Sequence, residues 1–224
     1  MNPKTKSRLY SIHNAIYNLM ARCGLRYDLK IYDAKFYDLN ITEGTKMAIW
    51  FVPLLREIFQ FKSLLDVGCG TGHYLRFCVD HGLSDVLGIE GSPHAFERLL
   101  VDKSQVVRHD LREPFRAGRK WDVALSIEVA EHIDKASAGT YVRTLATSSD
   151  TVVLTAARPG QGGRAHVNLQ PPEWWQERFR QEHFEYDERL TERLKAGIRR
   201  ARESGAFVTS WFEPNVMVFR NRGN

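Results

Sequence analysis

Four side chains that can bind a metal ion or move a proton occur in the second half of the sequence. Glu128, Glu131 and His132 follow an apolar segment at 121–127, and His166 lies in a later loop. On a helix, the i, i+3 and i, i+4 spacings would place the first three on one face. Two carboxylates and two imidazoles predict a Mg²⁺ or Mn²⁺ site with positions open for two neighbouring substrate hydroxyls. Without a metal, His132 or His166 would act as a general base.

A glycine-rich turn in the first half of the sequence predicts a binding site for a small molecule. An apolar strand at 63–67 contains Asp66 and runs into Gly68, Gly70 and Gly72, and a helix is predicted at 74–81. Glycine permits a tight turn and close approach of the backbone to a ligand, and the following helix offers free N–H groups. The G-x-G-x-G spacing differs from the G-x-x-G end of the dinucleotide fingerprint.

Acidic residues follow the next two predicted strands. Glu90 ends a strand at 85–89 and lies twenty residues after Gly70, where a carboxylate can accept hydrogen bonds from ribose hydroxyls. A short strand at 106–107 leads to Asp110. Further strands are predicted at 121–127 and at 151–156, so that all of these side chains would meet at the carboxyl edge of one parallel sheet.

This order of motifs resembles the class I S-adenosylmethionine methyltransferases, over roughly residues 64–157. The resemblance implies an α/β, Rossmann-like fold, in which a seven-stranded, mostly parallel sheet ends in an antiparallel C-terminal hairpin and has helices on both faces. It implies S-adenosylmethionine as cofactor, with Asp110 facing the adenine amino group. The residues that it places around the cofactor are Asp66, Gly68, Cys69, Gly70, Gly72, Glu90, Gly91, Ser92, Asp110, Leu111 and Glu128.

The E-x-x-E-H pattern with a later histidine is similar to two metal-dependent groups of that class. One methylates the 2′-hydroxyl at the end of small RNAs, and the other contains O-methyltransferases of ubiquinone synthesis. The resemblance implies Glu128, Glu131, His132 and His166 as metal ligands. The same pattern also occurs in metal-free members, where the second glutamate and the histidine shape the pocket. A third likeness, from the H-x-N-x-Q-P-P-x-x-W stretch that begins at His166, is to glycan and natural-product methyltransferases.

The remaining elements are predicted from periodicity. Residues 1–45 are expected to form a helical lid or accessory segment, and 46–224 the methyltransferase domain, with acceptor-side elements at about 158–205. A helix is predicted to begin at Glu43, after a Thr42 cap, and to kink at Pro53. The predicted C-terminal elements are helices at 172–184 and 187–204 and a hairpin formed by 207–212 and 216–220.

Composition limits the class of protein. The chain has 224 residues and a net charge of +5, most of which comes from residues 1–40. No apolar run approaches the roughly 20 residues that span a membrane, and the N-terminus does not resemble a signal peptide. Three cysteines, an odd number, favour a reduced, cytoplasmic setting. The sequence does not predict an oligomeric state.

The sequence therefore predicts an O-methyltransferase that acts on a hydroxylated small molecule or glycan. One alternative is a 2′-O-methyltransferase of an RNA end, which the basic N-terminal segment would favour. A second is a non-catalytic protein that binds S-adenosylmethionine and activates a partner. The Asp/Asn-Pro-Pro-Tyr signature of amide and DNA N-methyltransferases is replaced by Ser-Ile-Glu-Val at 126–129.

Overall fold

A computed structural model of the chain describes residues 32, 34–221 and 223. The helices are α1 (Ala34–Phe59), α2 (His73–Asp80), α3 (Pro93–Phe96), α4 (Ala138–Ser148), α5 (Pro172–Gln181), α6 (Glu188–Glu203) and α7 (Phe212–Asn215). The strands are β1 (Leu64–Val67), β2 (Val86–Glu90), β3 (Val106–Arg108), β4 (Val123–Ser126), β5 (Thr151–Thr155), β6 (Phe184–Tyr186) and β7 (Val216–Asn221). Short 3-10 turns occupy Lys103–Gln105 and Ala130–His132.

The seven strands form one sheet in the order β3-β2-β1-β4-β5-β7-β6. β1 to β5 are parallel, and β7 is antiparallel to both of its neighbours, β5 and β6. The predicted α/β fold is therefore confirmed. The chain order reverses at β1, and ligands of such sheets bind at the carboxyl ends of the strands beside this switch point.

Both faces of the sheet are buried because apolar residues alternate along the central strands. Leu64, Leu125 and Val153 pack with α1, α2 and α6 in one core. Their chain neighbours Leu65, Ala124 and Val152 point to the other face and pack with α4 and α5. Strands buried on both faces read as nearly continuous apolar runs, which is why the sequence predicts them well.

The helix before β1 is longer than predicted. α1 begins at Ala34 rather than at Glu43, and it continues through Pro53 to Phe59. Pro53 lies on the exposed side, whereas Phe51 and Leu55 on either side of it are completely buried. Packing of this face against the sheet therefore outweighs the lost backbone hydrogen bond, and the prediction of a helix start at Thr42 is wrong. The proposed division at residue 45 falls inside α1, and residues 1–31 of the predicted lid lie outside the described residues.

The antiparallel pair at the end of the sheet is confirmed, but one of its strands was misplaced. The partner of β7 is Phe184–Tyr186, not 207–212. β6 is only three residues long and closely follows α5. The helical pattern of the sequence extends to its first residue, Phe184, so the pattern does not indicate a strand there. Phe184 is buried and packs near Phe179 of α5, which fixes the strand in place. None of the described helices is long and apolar enough to cross a membrane.

Candidate active site

The turn after β1 requires glycine. Gly68, Gly70 and Gly72 have φ angles of 82°, 56° and 81°, in the left-handed region that other residues rarely adopt. A Cβ on Gly68 would also lie 2.5 Å from Cγ2 of Val129, which follows β4. The turn therefore packs directly on the segment that carries the E-x-x-E-H pattern, and the N-terminus of α2 follows it.

Glu90 joins the end of β2 to the glycine turn. Its Oε2 accepts a hydrogen bond from the Gly70 N–H at 2.8 Å, and its Oε1 accepts one from the Ser92 N–H at 2.7 Å. Burial raises the pKa of this carboxyl, whereas the backbone donors lower it. The predicted ribose-binding carboxylate thus lies beside the turn, as the sequence indicates.

Asp66 is a buried carboxyl beneath the same turn. It is 2% exposed, and its Oδ2 accepts no hydrogen bond from the described residues. Burial, with a contribution from the nearby Glu90 charge, raises the pKa of Asp66 to about 8. This carboxyl is therefore protonated at neutral pH in the ligand-free protein.

We expect Asp66→Asn to change how stability depends on pH. The carboxyl ionises near a pKa of 3.8 in the unfolded chain and near 8 in the folded protein. The free energy of unfolding therefore falls as pH rises between these values, since only the unfolded state loses the proton. Asn has no such proton, so the stability of the variant relative to wild type should increase between about pH 5 and pH 8 in urea unfolding. Asp80→Asn, at an exposed position, is the control, and a pH-independent difference would contradict a protonated Asp66.

The ends of β2 and β3 meet at the predicted adenine position. The His109 N–H donates to the Glu90 carbonyl at 3.0 Å. Asp110 accepts hydrogen bonds from the Arg112 guanidinium, the shorter at 2.7 Å. Leu111 beside it is buried. The Asp110 carboxylate thus has a cationic partner, and each oxygen retains lone-pair capacity for a further donor.

Glu128, Glu131 and His132 do not share a helix face, so that prediction is wrong. Glu128 has a φ of 55°, and Ala130–His132 forms a single 3-10 turn. The Glu128 N–H donates to Oγ1 of Thr155 on β5 at 2.8 Å. A non-glycine residue in this region is strained, and such strain is held in place by its surroundings and often occurs at functional sites.

Three of the four predicted metal ligands nevertheless form one cluster. Ligand atoms of Glu131, His132 and His166 all lie within 4.8 Å of one another. His166 Nε2 is 3.9 Å from Glu131 Oε1. Glu131 is completely buried, and neither of its carboxyl oxygens accepts a hydrogen bond of normal geometry from the described residues. Glu128 lies outside this group of three, although its charge acts on the Glu131 carboxyl and it accepts a hydrogen bond from that carboxyl when Glu131 is protonated.

The orientation of His132 is fixed through Nδ1. This atom is 3.0 Å from the Ala165 carbonyl and 2.8 Å from the Tyr32 hydroxyl. A carbonyl oxygen can only accept, so Nδ1 carries the proton and Nε2 keeps its lone pair. The Tyr32 hydroxyl also donates to the Arg164 carbonyl at 3.3 Å. This is the arrangement of a metal-binding imidazole whose second nitrogen is held by a backbone carbonyl.

Electrostatics in the cluster disfavour charge on each of its members. Burial, and then the charge of His166, lower the pKa of His132 to about 4. Burial also lowers the pKa of His166. Burial, and then the Glu128 charge, raise the pKa of Glu131 well above its ordinary value. The imidazoles are therefore neutral, the form that binds metal ions, and the carboxyl lacks a positive partner.

The loop after β5 carries His166 to the cluster. The Val167 and Asn168 N–H groups both donate to the Glu131 carbonyl, at 2.9 and 3.0 Å. A Cβ on Gly163 would overlap the His166 ring. The small residue and the two hydrogen bonds explain why this imidazole reaches a glutamate that is 35 positions earlier in the sequence.

Asn215 is a site residue that the sequence reasoning missed. It is 1% exposed, and its Nδ2 donates to Gln161 Oε1 at 3.0 Å and to Glu128 Oε1 at 3.4 Å. Thr155 is a second residue that the sequence reasoning missed. Like Asn215, it acts by hydrogen bonding to Glu128. The only signal was the position of Asn215 directly before the last strand. Trp175, which ends the H-x-N-x-Q-P-P-x-x-W stretch, is completely buried in the core.

A seven-stranded sheet with a glycine turn and a buried carboxylate at its switch point is the arrangement that the sequence predicts for a class I methyltransferase. Residues 44–194 match the family described as a methyltransferase domain. The match covers more than half of the chain, so the protein belongs to this family of S-adenosylmethionine-dependent enzymes.

Similar proteins are known from sequence and from structure. Ribosomal protein arginine N-methyltransferase rmt3 of Schizosaccharomyces pombe (strain 972 / ATCC 24843) is 32% identical over 101 residues, which are 42% of this chain and 19% of that protein. The chain thus spans about a fifth of the length of this curated relative.

Two sugar-modifying enzymes share the fold. The sugar N-methyltransferase KedS8 from Streptoalloteichus sp ATCC 53650 is 19% identical, with 79% of this chain and 87% of that chain covered and a TM-score of 0.57. The amino pentose methyltransferase CalS10 from Micromonospora echinaspora, solved with S-adenosylmethionine bound, is 16% identical, with coverages of 80% and 91% and a TM-score of 0.57. The methyltransferase domain of bacterial CtHen1-C is 18% identical, with coverages of 66% and 88% and a TM-score of 0.51.

Proposed function

We propose that this protein is an S-adenosylmethionine-dependent O-methyltransferase that methylates a hydroxyl of a small molecule or glycan with the help of Mg²⁺ or Mn²⁺. The observation that carries this proposal is the Glu131 carboxyl, which is completely buried beside two neutral imidazoles and has no positively charged partner among the described residues. A buried carboxylate without partners is costly. A divalent cation would supply the missing charge.

The cluster fits such an ion in its chemistry and size. Carboxylate and neutral imidazole ligands suit Mn²⁺, and Mg²⁺ uses one or two carboxylates and keeps several open positions. An ion at about 2.1 Å from each ligand brings ligand atoms to within about 4.2 Å of one another. The 3.9 Å between His166 Nε2 and Glu131 Oε1 meets this limit, whereas the three ligand atoms together lie within 4.8 Å of one another and would have to draw slightly closer around one ion. Glu128 would become a further metal ligand only if its carboxyl gave up the hydrogen bond from Asn215.

The methyl donor is assigned to the glycine turn and the acidic strand ends. Glu90 would accept hydrogen bonds from the ribose hydroxyls, and Asp110 would receive the adenine amino group. Asp66 lies beneath the turn as a protonated carboxyl and would favour the cationic donor if it ionised. The left-handed glycines allow the backbone to approach the ligand closely.

The chain contributes orientation, exclusion of water and control of a proton. Methyl transfer is an in-line displacement that depends on alignment, and a neutral hydroxyl is a poor nucleophile. A bound divalent ion supplies the Lewis acidity that lowers the pKa of the hydroxyl. Hydrogen bonds from Nδ1 hold His132 so that Nε2 keeps its lone pair, and loop 158–168 holds His166 beside Glu131. If no ion binds, His132 or His166 would take the proton of the hydroxyl.

We further propose that residues 1–45 act as a lid on this site. The Tyr32 hydroxyl contacts His132, and the Phe36 ring packs against Tyr32. A Cβ placed on Gly70 would lie 3.7 Å from the Asn40 side chain. Tyr32 thus lies beside the Glu131–His132–His166 cluster and Asn40 of α1 lies beside the glycine turn, where these residues would shield the acceptor from water.

A second candidate is a 2′-O-methyltransferase of an RNA end. The clustering of Glu131, His132 and His166 supports it equally, because the resemblance to small-RNA methyltransferases rests on these residues. An RNA 3′ end offers the same pair of neighbouring hydroxyls as a sugar. The two candidates therefore differ in acceptor and not in the chemistry of the site.

The test combines cofactor binding with metal-dependent turnover. The purified protein is titrated with S-adenosylhomocysteine by calorimetry and then assayed against aminosugars, nucleotide sugars, catechols and short RNA ends, with EDTA, Mg²⁺ or Mn²⁺. We expect turnover on a sugar hydroxyl that EDTA removes and Mn²⁺ restores. Turnover on RNA alone would favour the second candidate, and turnover on an amine would contradict O-methylation.

His166→Ala is the informative variant in this assay. It should keep its affinity for S-adenosylhomocysteine, and its turnover should fall by about 100-fold, because the variant lacks a metal ligand or, if no ion binds, the general base. His183→Ala, at an exposed position away from the cluster, is the matched control. Wild-type turnover in His166→Ala would remove this residue from the mechanism.

A further inference from the structure

A second cavity lies at the opposite edge of the sheet from the proposed active site. It has a volume of about 590 Å³ and includes Asp122 and Thr151, where β4 and β5 begin. The proposed site lies instead where these strands end, at Glu128 and Thr155. A strand of four or five residues separates the two edges by roughly 13–17 Å, so the cavity is not part of the methyl-transfer site.

Four cationic side chains line this cavity, which we call the basic groove. They are Lys62 after α1, Arg189 and Arg193 on α6, and Arg220 on β7. Arg189 and Arg193 are separated by one helical turn and share a face of α6. Three elements that are distant in sequence therefore bring four positive charges to one concavity.

Few of these charges are neutralised by acidic residues. Among the lining residues the only carboxylate is Asp122, whose Oδ2 already accepts hydrogen bonds from the Lys62 and Ser63 N–H groups at 2.7 and 3.0 Å. Arg193 lies 3.8 Å from Glu57, at the limit of an ion pair. Within the described part of the chain, neither Arg189 nor Arg220 forms an ion pair, although Glu185 of β6 is the cross-strand neighbour of Arg220. Like charges that converge without partners repel each other, and an anion would relieve this repulsion.

We propose that the basic groove binds the phosphate monoester of a small ligand. Guanidinium groups match phosphate oxygens in pairs, and the charge-assisted hydrogen bonds are among the strongest that proteins make. The volume lies in the range of small-molecule sites. A nucleic-acid backbone needs cations along a track, whereas here they converge on one cavity. The groove thus fits a single phosphoryl group better than a chain of phosphates.

The test uses defined phosphate probes on the full-length protein. Uridine 5′-monophosphate, uridine and inorganic phosphate are titrated by calorimetry at low salt, with excess S-adenosylhomocysteine present. We expect the monophosphate to bind and uridine not to bind. Binding of inorganic phosphate as tightly as the monophosphate would overturn the assignment to a monoester, because the groove would then recognise only the free anion. Arg189→Ala/Arg193→Ala should weaken monophosphate binding about tenfold or more.

The matched control removes the same charge elsewhere. Lys103→Ala/Arg200→Ala eliminates two exposed cations outside the groove and should leave monophosphate affinity within about twofold. The groove variant should keep wild-type methyl transfer, since its residues lie at the far edge of the sheet. Absence of monophosphate binding, or equal binding by the groove variant, would overturn the proposal. A short RNA with a 5′-hydroxyl that binds more tightly than the monophosphate would overturn it in favour of a nucleic-acid surface.

Discussion

Glu131→Gln should eliminate Mn²⁺ binding and lower methyl transfer by about 100-fold or more, without destabilising the metal-free protein. The substitution keeps the shape of the side chain but removes the anionic ligand. Because burial and the Glu128 charge raise the pKa of the native carboxyl well above its ordinary value, the neutral amide replaces a group that is already held in its neutral form at neutral pH. The free energy of unfolding without metal should therefore equal or exceed that of wild type. Mn²⁺ electron paramagnetic resonance and urea unfolding measure the two effects.

Glu128→Gln is the matched control for this variant. Glu128 lies outside the group of three, and its carboxyl accepts a hydrogen bond from the Asn215 side chain. Mn²⁺ affinity should therefore fall less in Glu128→Gln than in Glu131→Gln. Equal losses in the two variants would make Glu128 a fourth ligand, as the sequence pattern implied. Mn²⁺ bound with wild-type affinity by Glu131→Gln would exclude the proposed metal site.

Glu90→Ala should weaken S-adenosylhomocysteine binding by about 100-fold. Two charge-assisted hydrogen bonds to ribose hydroxyls contribute about 1.5–3 kcal/mol each, and part of this is recovered by water in the variant. The carboxylate also holds the Gly70 N–H at 2.8 Å, so its loss loosens the turn as well. Calorimetric titration of both proteins measures the difference.

Two further variants separate these contributions. Ser92→Ala keeps the backbone N–H that donates to Glu90 and should bind S-adenosylhomocysteine with wild-type affinity. Glu90→Gln keeps an oxygen for one backbone donor and should give an intermediate affinity. An affinity within about twofold of wild type for Glu90→Ala would place the ribose elsewhere.

The parts of the site that are local in sequence could be predicted from it. The glycine turn directly follows β1 and needs glycine at its three positions with positive φ. Glu90 lies at the end of β2, the next strand in the chain. The sequence motif alone therefore predicts that the turn and the Glu90 carboxyl meet. The parallel strands are buried on both faces and stand out as apolar runs. For these elements, local propensity and tertiary packing favour the same structure.

The parts that depend on distant contacts could not be predicted. Glu128 adopts a left-handed conformation because Thr155, on β5, holds its backbone and Asn215, at the end of α7, holds its carboxyl. Periodicity alone placed it on a helix. β6 escaped prediction because three residues carry no pattern of their own, and only pairing with β7 makes them a strand. In both cases the decisive partner lies more than 25 positions away.

The position of β7 between β5 and β6 has a consequence for synthesis on the ribosome. Within the described sheet β6 pairs with β7 alone, yet β7 is translated after it. The hydrogen-bonding edge of β5 therefore stays open in the nascent chain until residues 216–221 have emerged. An open edge of this kind is a template for pairing with other chains. Ribosome-bound intermediates that end before Val216 should thus need chaperone protection, because the last strand inserts into the sheet instead of extending it.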